Sequence, residues 1–275
     1  MMMKFRSLIY LPGALAFFSA CHINHGSDSL PAPVVPVPAD EAGAYDHSHA
    51  ELTRVLQQHV KGNRFDYAGL QRDSSGLESY LARSAMVSHE TFDGWSDDEQ
   101  LAYLINLYNA ATLKLVIDHY PINSIKDIGG LLGNPWKMPV VQLFGERVTL
   151  NHIEHDWLRA KYQEPRIHFA VNCASLGCPA LRNEAFRGTV LDRQLTEQGQ
   201  AFLRDVSKNR VDVANRTLHL SPIFHWFKGD FTAQAGSPEA FIAPYFEPDL
   251  RRQIERETFR IARTDYDWDL NDVAQ

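Results

Sequence analysis

Cysteine is scarce: the 275 residues include three, Cys21, Cys173 and Cys178. Small scaffolds held together by disulfides carry many more, so this fold must rest on a packed core, for which 44% hydrophobic residues are ample. Positive charge is also short. Lys and Arg number 27 against 34 Asp and Glu, giving a net charge of −7 and a pI near 5.9. The basic residues are scattered, so a nucleic-acid surface is not expected. Gly129-Gly130, with Gly133 nearby, is not closed by the Gly-Lys-Ser/Thr that a phosphate loop requires. His22, His25, His47 and His49 are too dispersed for a metal-sequestering tract. No metal or other cofactor is expected, and no internal repeat is visible.

Long apolar runs are missing at the start of the chain as well. Leu8 to Phe18 is apolar for only about a dozen residues, where a membrane-spanning helix needs roughly twenty, and it contains Pro12 and Gly13. Lys4 and Arg6 precede it and Ser19-Ala20-Cys21 follows, the layout of an export signal. Phe18-Ser19-Ala20-Cys21 resembles the bacterial lipobox, with Phe18 in place of the usual leucine, which makes Cys21 the expected lipid acceptor. An ordinary signal peptide with an incidental cysteine is the alternative. Pro31, Pro33, Pro36 and Pro38 then punctuate a stretch that favours extended, hydrated chain. The expected division is a signal peptide over 1–20, a lipidated proline-rich tether over 21–45 and one folded domain over 46–275. The expected location is the cell envelope, anchored to a membrane by lipid and facing the periplasm or the outside.

Within that domain, periodicity predicts helices over 47–60, 74–84 and 151–162, and Ser96 three residues before Glu99 opens the strongest one, running to about His119. Leu101 to Ile117 is apolar almost all round, as in a helix at the centre of a core. Asn106 and Asn109 share one face of it, and an unpartnered buried amide costs about 1–3 kcal/mol, so both must be bonded to something specific. Hairpins are expected at 140–150 and 211–220, a β-like segment at 166–171, a helix over 184–206, short helices in 221–227, 237–245 and 247–257, and a final strand over 258–263. The fold class is therefore α+β, a single domain with a central buried helix packed on an antiparallel-rich sheet.

Chemistry is expected in Arg166 to Leu181, where a β-like run enters a turn holding Cys173, Ser175 and Cys178. Three readings stand side by side. Cys173 is a nucleophile with His155 as its base, because His168, five residues before it on an ideal strand, would face the other way. Alternatively, Cys173 and Cys178 form a disulfide, as an oxidising compartment favours. A metal site using His168 or His155 is the third, and it lacks a second ligand pair of the zinc type.

Several blocks resemble the family called domain of unknown function 547. They are Leu101 to Ala110, Ile125-Lys126-Asp127-Ile128, Pro135-Trp136, Ile153-Glu154-His155, Arg166 to Leu181, Phe224-His225-Trp226-Phe227 with Asp230-Phe231, and Tyr266 to Asn271. The resemblance implies a bacterial lipoprotein member and a similarity to papain-like or transglutaminase-like thiol enzymes. It also implies a steadier role for Cys173 than for Cys178, which can be serine in the family pattern. Leu104 stands where the family has tryptophan. The central helix carries no cysteine, unlike that of papain-like enzymes.

The expected function is a thiol-dependent hydrolase or acyl transferase acting on a peptide-like or small amide substrate. Cys173 attacks the carbonyl, His155 moves the proton, Glu154 or Asn109 orients the imidazole, and backbone N–H groups of Ala174 to Gly177 hold the oxyanion. Asn106, His168 and Ser175 are expected to bind substrate. The alternative is a non-catalytic envelope protein that binds a ligand or partner and carries a Cys173–Cys178 disulfide. No protein partner can be named from the sequence.

Overall fold

The computed structural model describes residues 45–130 and 133–275. The export signal, Cys21 and the proline-rich tether up to residue 44 lie outside the described residues. The first half is helical: α1 (Ala50–His59), the two-residue hairpin strands β1 (Val60–Lys61) and β2 (Arg64–Phe65), α2 (Tyr67–Arg72), α3 (Ser75–Ala85), α4 (His89–Asp93) and α5 (Asp97–His119). A hairpin of β3 (Val141–Leu143) and β4 (Glu146–Val148) follows, turning through Phe144 and Gly145 at φ 52° and 84°. Positive φ at both turn positions is what a tight hairpin needs to match the strand twist.

α5 organises everything before residue 200. Its Ser96 cap accepts from the Glu99 N–H while the Glu99 carboxylate accepts from the Ser96 N–H, and Asp97, Asp98 and Glu99 place negative charge at the helix N-terminus. Every residue from Leu101 to Ile117 except Lys114 is buried. α2, α3, the π-helix His152–Arg159, the 3-10 turn Gly188–Val190 and β3 pack around it. Helices and irregular chain thus supply most of its wall, and the sheets are small. Among the described residues no helix is long and apolar enough to cross a membrane.

Beyond it lie α6 (Leu191–Arg204), β5 (Arg210–Asp212), β6 (Thr217–Leu220), α7 (Ile223–Trp226), α8 (Lys228–Ala235), α9 (Pro238–Ile242), α10 (Pro248–Arg256) and β7 (Arg260–Arg263). β5 pairs antiparallel with β6, and β6 pairs parallel with β7. These elements enclose a second core of Phe202, Phe224, Phe231, Phe241 and Ile242. The α+β class with a central buried helix therefore holds, built among the described residues from small sheets that are antiparallel except for the β6–β7 pairing, with one isolated parallel bridge between Phe65 and Asp272.

Two local expectations fail. Residues 166–171 are not β-like: Pro165–Phe169 is a 3-10 turn, opened by Pro165 and by the Glu164 carboxylate, which accepts from the Arg166 N–H. Its apolar alternation arose because the turn lies between the two cores, with Ile167 in the first and Phe169 in the second. The long helix starts at Leu191, not Glu184. Residues 185–187 run as a strap held by Thr53, Asn106 and Gln194, and a Cβ on Gly188 would sit 2.7 Å from Glu99.

Asn106 and Asn109 do lie on one face, and each closes a two-bond clamp on a different backbone segment. The Asn106 amide donates to the Phe186 carbonyl at 2.8 Å and accepts from the Phe186 N–H at 2.9 Å. Asn109 donates to the Ala170 carbonyl at 2.9 Å and accepts from the Asn172 N–H at 2.8 Å. Both side chains are buried and their hydrogen bonds go to backbone, none to an imidazole, so the expected roles in substrate binding and imidazole orientation are corrected to that of backbone clamps. An Asn109→Leu change leaves two buried backbone groups unpaired and is expected to cost about 2–4 kcal/mol in urea unfolding, whereas a loss within about 0.5 kcal/mol would refute the clamp.

Candidate functional site

The turn after Ala170 is shaped by side chains that bond back to it. The Asn172 carboxamide accepts from the Ala174 N–H and donates to the Pro179 carbonyl, both at 2.8 Å. Ala174 is held at φ 59°, a left-handed conformation that costs energy outside glycine. The chain then pairs with residues near the C-terminus. Asn271 N–H donates to Ala174, Leu176 N–H to Asp269 and Gly177 N–H to Asp267. A Cβ at Gly177 would lie 2.8 Å from the Asp267 carbonyl oxygen, so the approach of the two segments requires glycine there. Of the four N–H groups expected to hold an oxyanion, those of Ala174, Leu176 and Gly177 are occupied by these internal bonds, and Ser175 N–H is the one they leave out.

Cys173 and Cys178 are joined as a disulfide across this turn, with Cα atoms 6.2 Å apart. Cys178 is buried and Cys173 partly exposed. The C-terminal segment brings Tyr266 over the pair, its hydroxyl 3.1 Å from each sulfur. Ser175 donates to that hydroxyl at 3.1 Å and lies 3.3 Å from the Cys173 sulfur. Burial pushes the Tyr266 phenol well above its ordinary pKa, outweighing the Ser175 hydrogen bond, so it stays protonated as a donor towards sulfur.

Aromatic rings continue outward from Tyr266. Its ring centroid is 4.5 Å from that of Trp268 and 4.8 Å from that of Trp226, and Trp136 stands 6.0 Å from Trp268. Trp226 is 46% exposed, a large apolar area left to solvent beside a polar site. Lys126 Nζ sits 3.4 Å over the Trp268 ring, a cation on a negative ring face.

A second polar group lies on the π-helix side. Arg159 donates two bonds to Asp230, at 2.7 and 2.9 Å, and a third to His155 Nδ1 at 3.0 Å. Guanidinium can only donate, so His155 Nδ1 accepts and the ring proton is on Nε2. No lone pair remains on His155 to take a proton from a thiol. The Cys173 sulfur has hydroxyl neighbours, and the structure does not join it to His155 by a hydrogen bond. The expected Cys173–His155 pairing is corrected on these grounds. Glu154, buried, accepts from the Tyr108 hydroxyl at 3.2 Å and does not orient His155.

His168 is the histidine with a base-like arrangement. Its Nε2 donates to Asp230 at 2.8 Å, its ring stacks on Phe227 at 3.8 Å, and its buried Nδ1 has no hydrogen-bond partner. Burial keeps the imidazole neutral, lowering its pKa against the pull of Asp230 and Glu154. The His168 N–H and Arg159 together hold the Asp230 carboxyl far below the usual carboxylate range. Thus Cys173, Ser175 and Cys178 are brought together, His168 joins Asp230 and Arg159, and Asn106 and Asn109 stand behind as backbone clamps. Tyr266, Asp230 and Arg159 hold places in the candidate site that local pattern did not assign, because their partners lie 93, 62 and 71 residues away in sequence. The only signal for Tyr266 and Asp230 was their place in the blocks of resemblance.

Residues 92–203 match the family model described as Protein of unknown function, DUF547. No curated protein and no solved structure matches the chain. The DUF547 match spans α5, the π-helix, the 3-10 turn and both cysteines, while Trp226, Asp230, Tyr266 and Trp268 lie beyond it. The candidate site is therefore assembled from the segment that matches the family model and the chain that follows.

Because the folded-state pKa of His168 lies below its unfolded value of about 6.5, the unfolded chain binds more protons as pH falls below that value. Stability should then decline with falling pH, by up to about 1 kcal/mol per pH unit from this group. Urea unfolding across this range should show a shallower decline in His168→Gln than in the parent; identical slopes would show that His168 is not held neutral.

Proposed function

We propose that this chain is an envelope lipoprotein, anchored through lipid on Cys21, whose folded domain binds a ligand or partner at the aromatic-walled site beside the Cys173–Cys178 disulfide and performs no thiol chemistry there. The observation that carries the reading is the disulfide itself: the sulfur required as nucleophile is bonded to Cys178. A half-exposed Trp226 next to Tyr266 and Trp268 supplies the apolar contact surface of a binding site, and the hydroxyls of Tyr266 and Ser175 supply convergent polar groups. A structural disulfide also agrees with an oxidising space outside the cytoplasm.

A second reading, a thiol-dependent hydrolase or acyl transferase on a peptide-like or amide substrate, is favoured by one arrangement. Asp230 fixes the His168 tautomer so that a lone pair remains on Nδ1, the pattern by which a carboxylate prepares a general base. In that reading Cys173 acts only after reduction, with Tyr266 and Ser175 beside its sulfur.

Peptide mass mapping of protein extracted from membranes under non-reducing conditions separates the two. Quantitative Cys173–Cys178 cross-linked peptide, inert to iodoacetamide until reductant is added, is the expected result. A Cys173 thiol that is free and rapidly alkylated without reductant would sink the binding-only reading. A Cys21→Ser variant is expected to leave the membrane fraction, and its retention there would remove the lipid anchor from the proposal.

A further inference from the structure

Away from the disulfide, His155 faces a concavity of about 480 Å³ that it shares with Lys137, Arg147, His152 and Asp156. Three separate elements deliver these side chains. Lys137 ends the 3-10 turn Pro135–Lys137, Arg147 lies on β4, and the histidines come from the first turns of the π-helix. Among the described residues no carboxylate forms an ion pair with Lys137 or Arg147. Both cations are exposed and lie on one concave wall.

The tautomers make this wall a set of donors. Arg159 occupies the His155 Nδ1 lone pair, so Nε2 carries a proton to offer. Trp157 Nε1–H donates to His152 Nε2 at 3.1 Å, which leaves the His152 proton on Nδ1, where it binds the Asp156 carboxylate at 2.7 Å. The carboxylate in the concavity is thereby engaged by its neighbour. Lys137, Arg147 and His155 remain as donors that have no acceptor of their own here.

We infer that this concavity is a binding site for a phosphate-bearing ligand, held by Lys137, Arg147 and the His155 Nε2–H. A phosphate group offers three terminal oxygens to match donors arriving from three elements, and the guanidinium fork suits it geometrically. The volume is in the range of small-molecule sites, about 300–1,000 Å³, which leaves room for an organic remainder beside the phosphate. A soluble phosphate ester and a phospholipid headgroup present the same chemistry.

The test is calorimetric titration of the full-length protein with inorganic phosphate, glycerol 3-phosphate and short-chain dihexanoyl phosphatidylglycerol. Saturable phosphate binding is expected, weakened about tenfold by Lys137→Gln or Arg147→Gln, in line with the loss of one charge-assisted hydrogen bond. Lys61→Gln, which removes a cation outside the concavity, should leave it unchanged. His155→Gln keeps an N–H donor and should bind better than His155→Leu. Tighter binding of glycerol 3-phosphate points to a soluble ester and tighter binding of the lipid to a headgroup; both uphold the site. Absence of saturable binding by all three probes, or equal weakening in Lys61→Gln, overturns it.

Discussion

A helix buried on all sides must find partners for its polar groups inside the fold, and α5 does so most firmly through Asn106 and Asn109. Each amide satisfies one carbonyl and one N–H on a segment that has no sheet neighbour to supply those bonds. Without Asn109, Ala170 and Asn172 would need partners elsewhere, and the turn bearing Cys173 would lose its fixed point. The left-handed Ala174, the pairing with the C-terminal segment and the placement of Tyr266 over the sulfurs all follow from where that turn begins.

The same turn lies where two hydrophobic cores meet. Ile167 anchors it to the core around α5 and Phe169 to the phenylalanine-rich core of the second half. His168 between them is thereby carried to Asp230 on α8, and Asp230 to Arg159 on the π-helix. Arg159 then decides the tautomer of His155, and Asp230 that of His168. One guanidinium and one carboxylate thus distribute protons over two imidazoles, giving His155 a donor face and His168 an unshared lone pair. This division explains why the two histidines cannot exchange roles, although the alternation of an ideal strand had disfavoured His168 and left His155 as the expected base.

Polar and apolar surfaces divide the outer wall in a similar way. Trp226, Tyr266, Trp268 and Trp136 form an aromatic surface beside the disulfide, while the residues immediately following Trp136 and Glu154, Lys137 and His155, contribute to the basic concavity. Neighbours along the chain therefore serve different surfaces, since consecutive side chains on a helical turn point in different directions. The disulfide joins two ends of the turn that already pairs with the C-terminal segment, so covalent and hydrogen-bonded constraints act on the same few residues.

Much of the scaffold was legible from local signals. The Ser96–Glu99 capping box, the all-round apolar run of α5, the hairpin at Phe144-Gly145 and the pairing of β5 with β6 are each specified by residues within one or two turns of each other, where local propensity and tertiary packing agree. The sequence by itself also determined that Asn106 and Asn109 needed partners, and that Cys173 and Cys178 were close enough to join. Only the tertiary structure decided which backbone the asparagines hold, that 166–171 turns instead of extending, that Tyr266 covers the sulfurs, and which nitrogen of each histidine is protonated. Those outcomes depend on groups many tens of residues apart meeting in a water-poor interior, and no local pattern encodes which distant donor finds which acceptor.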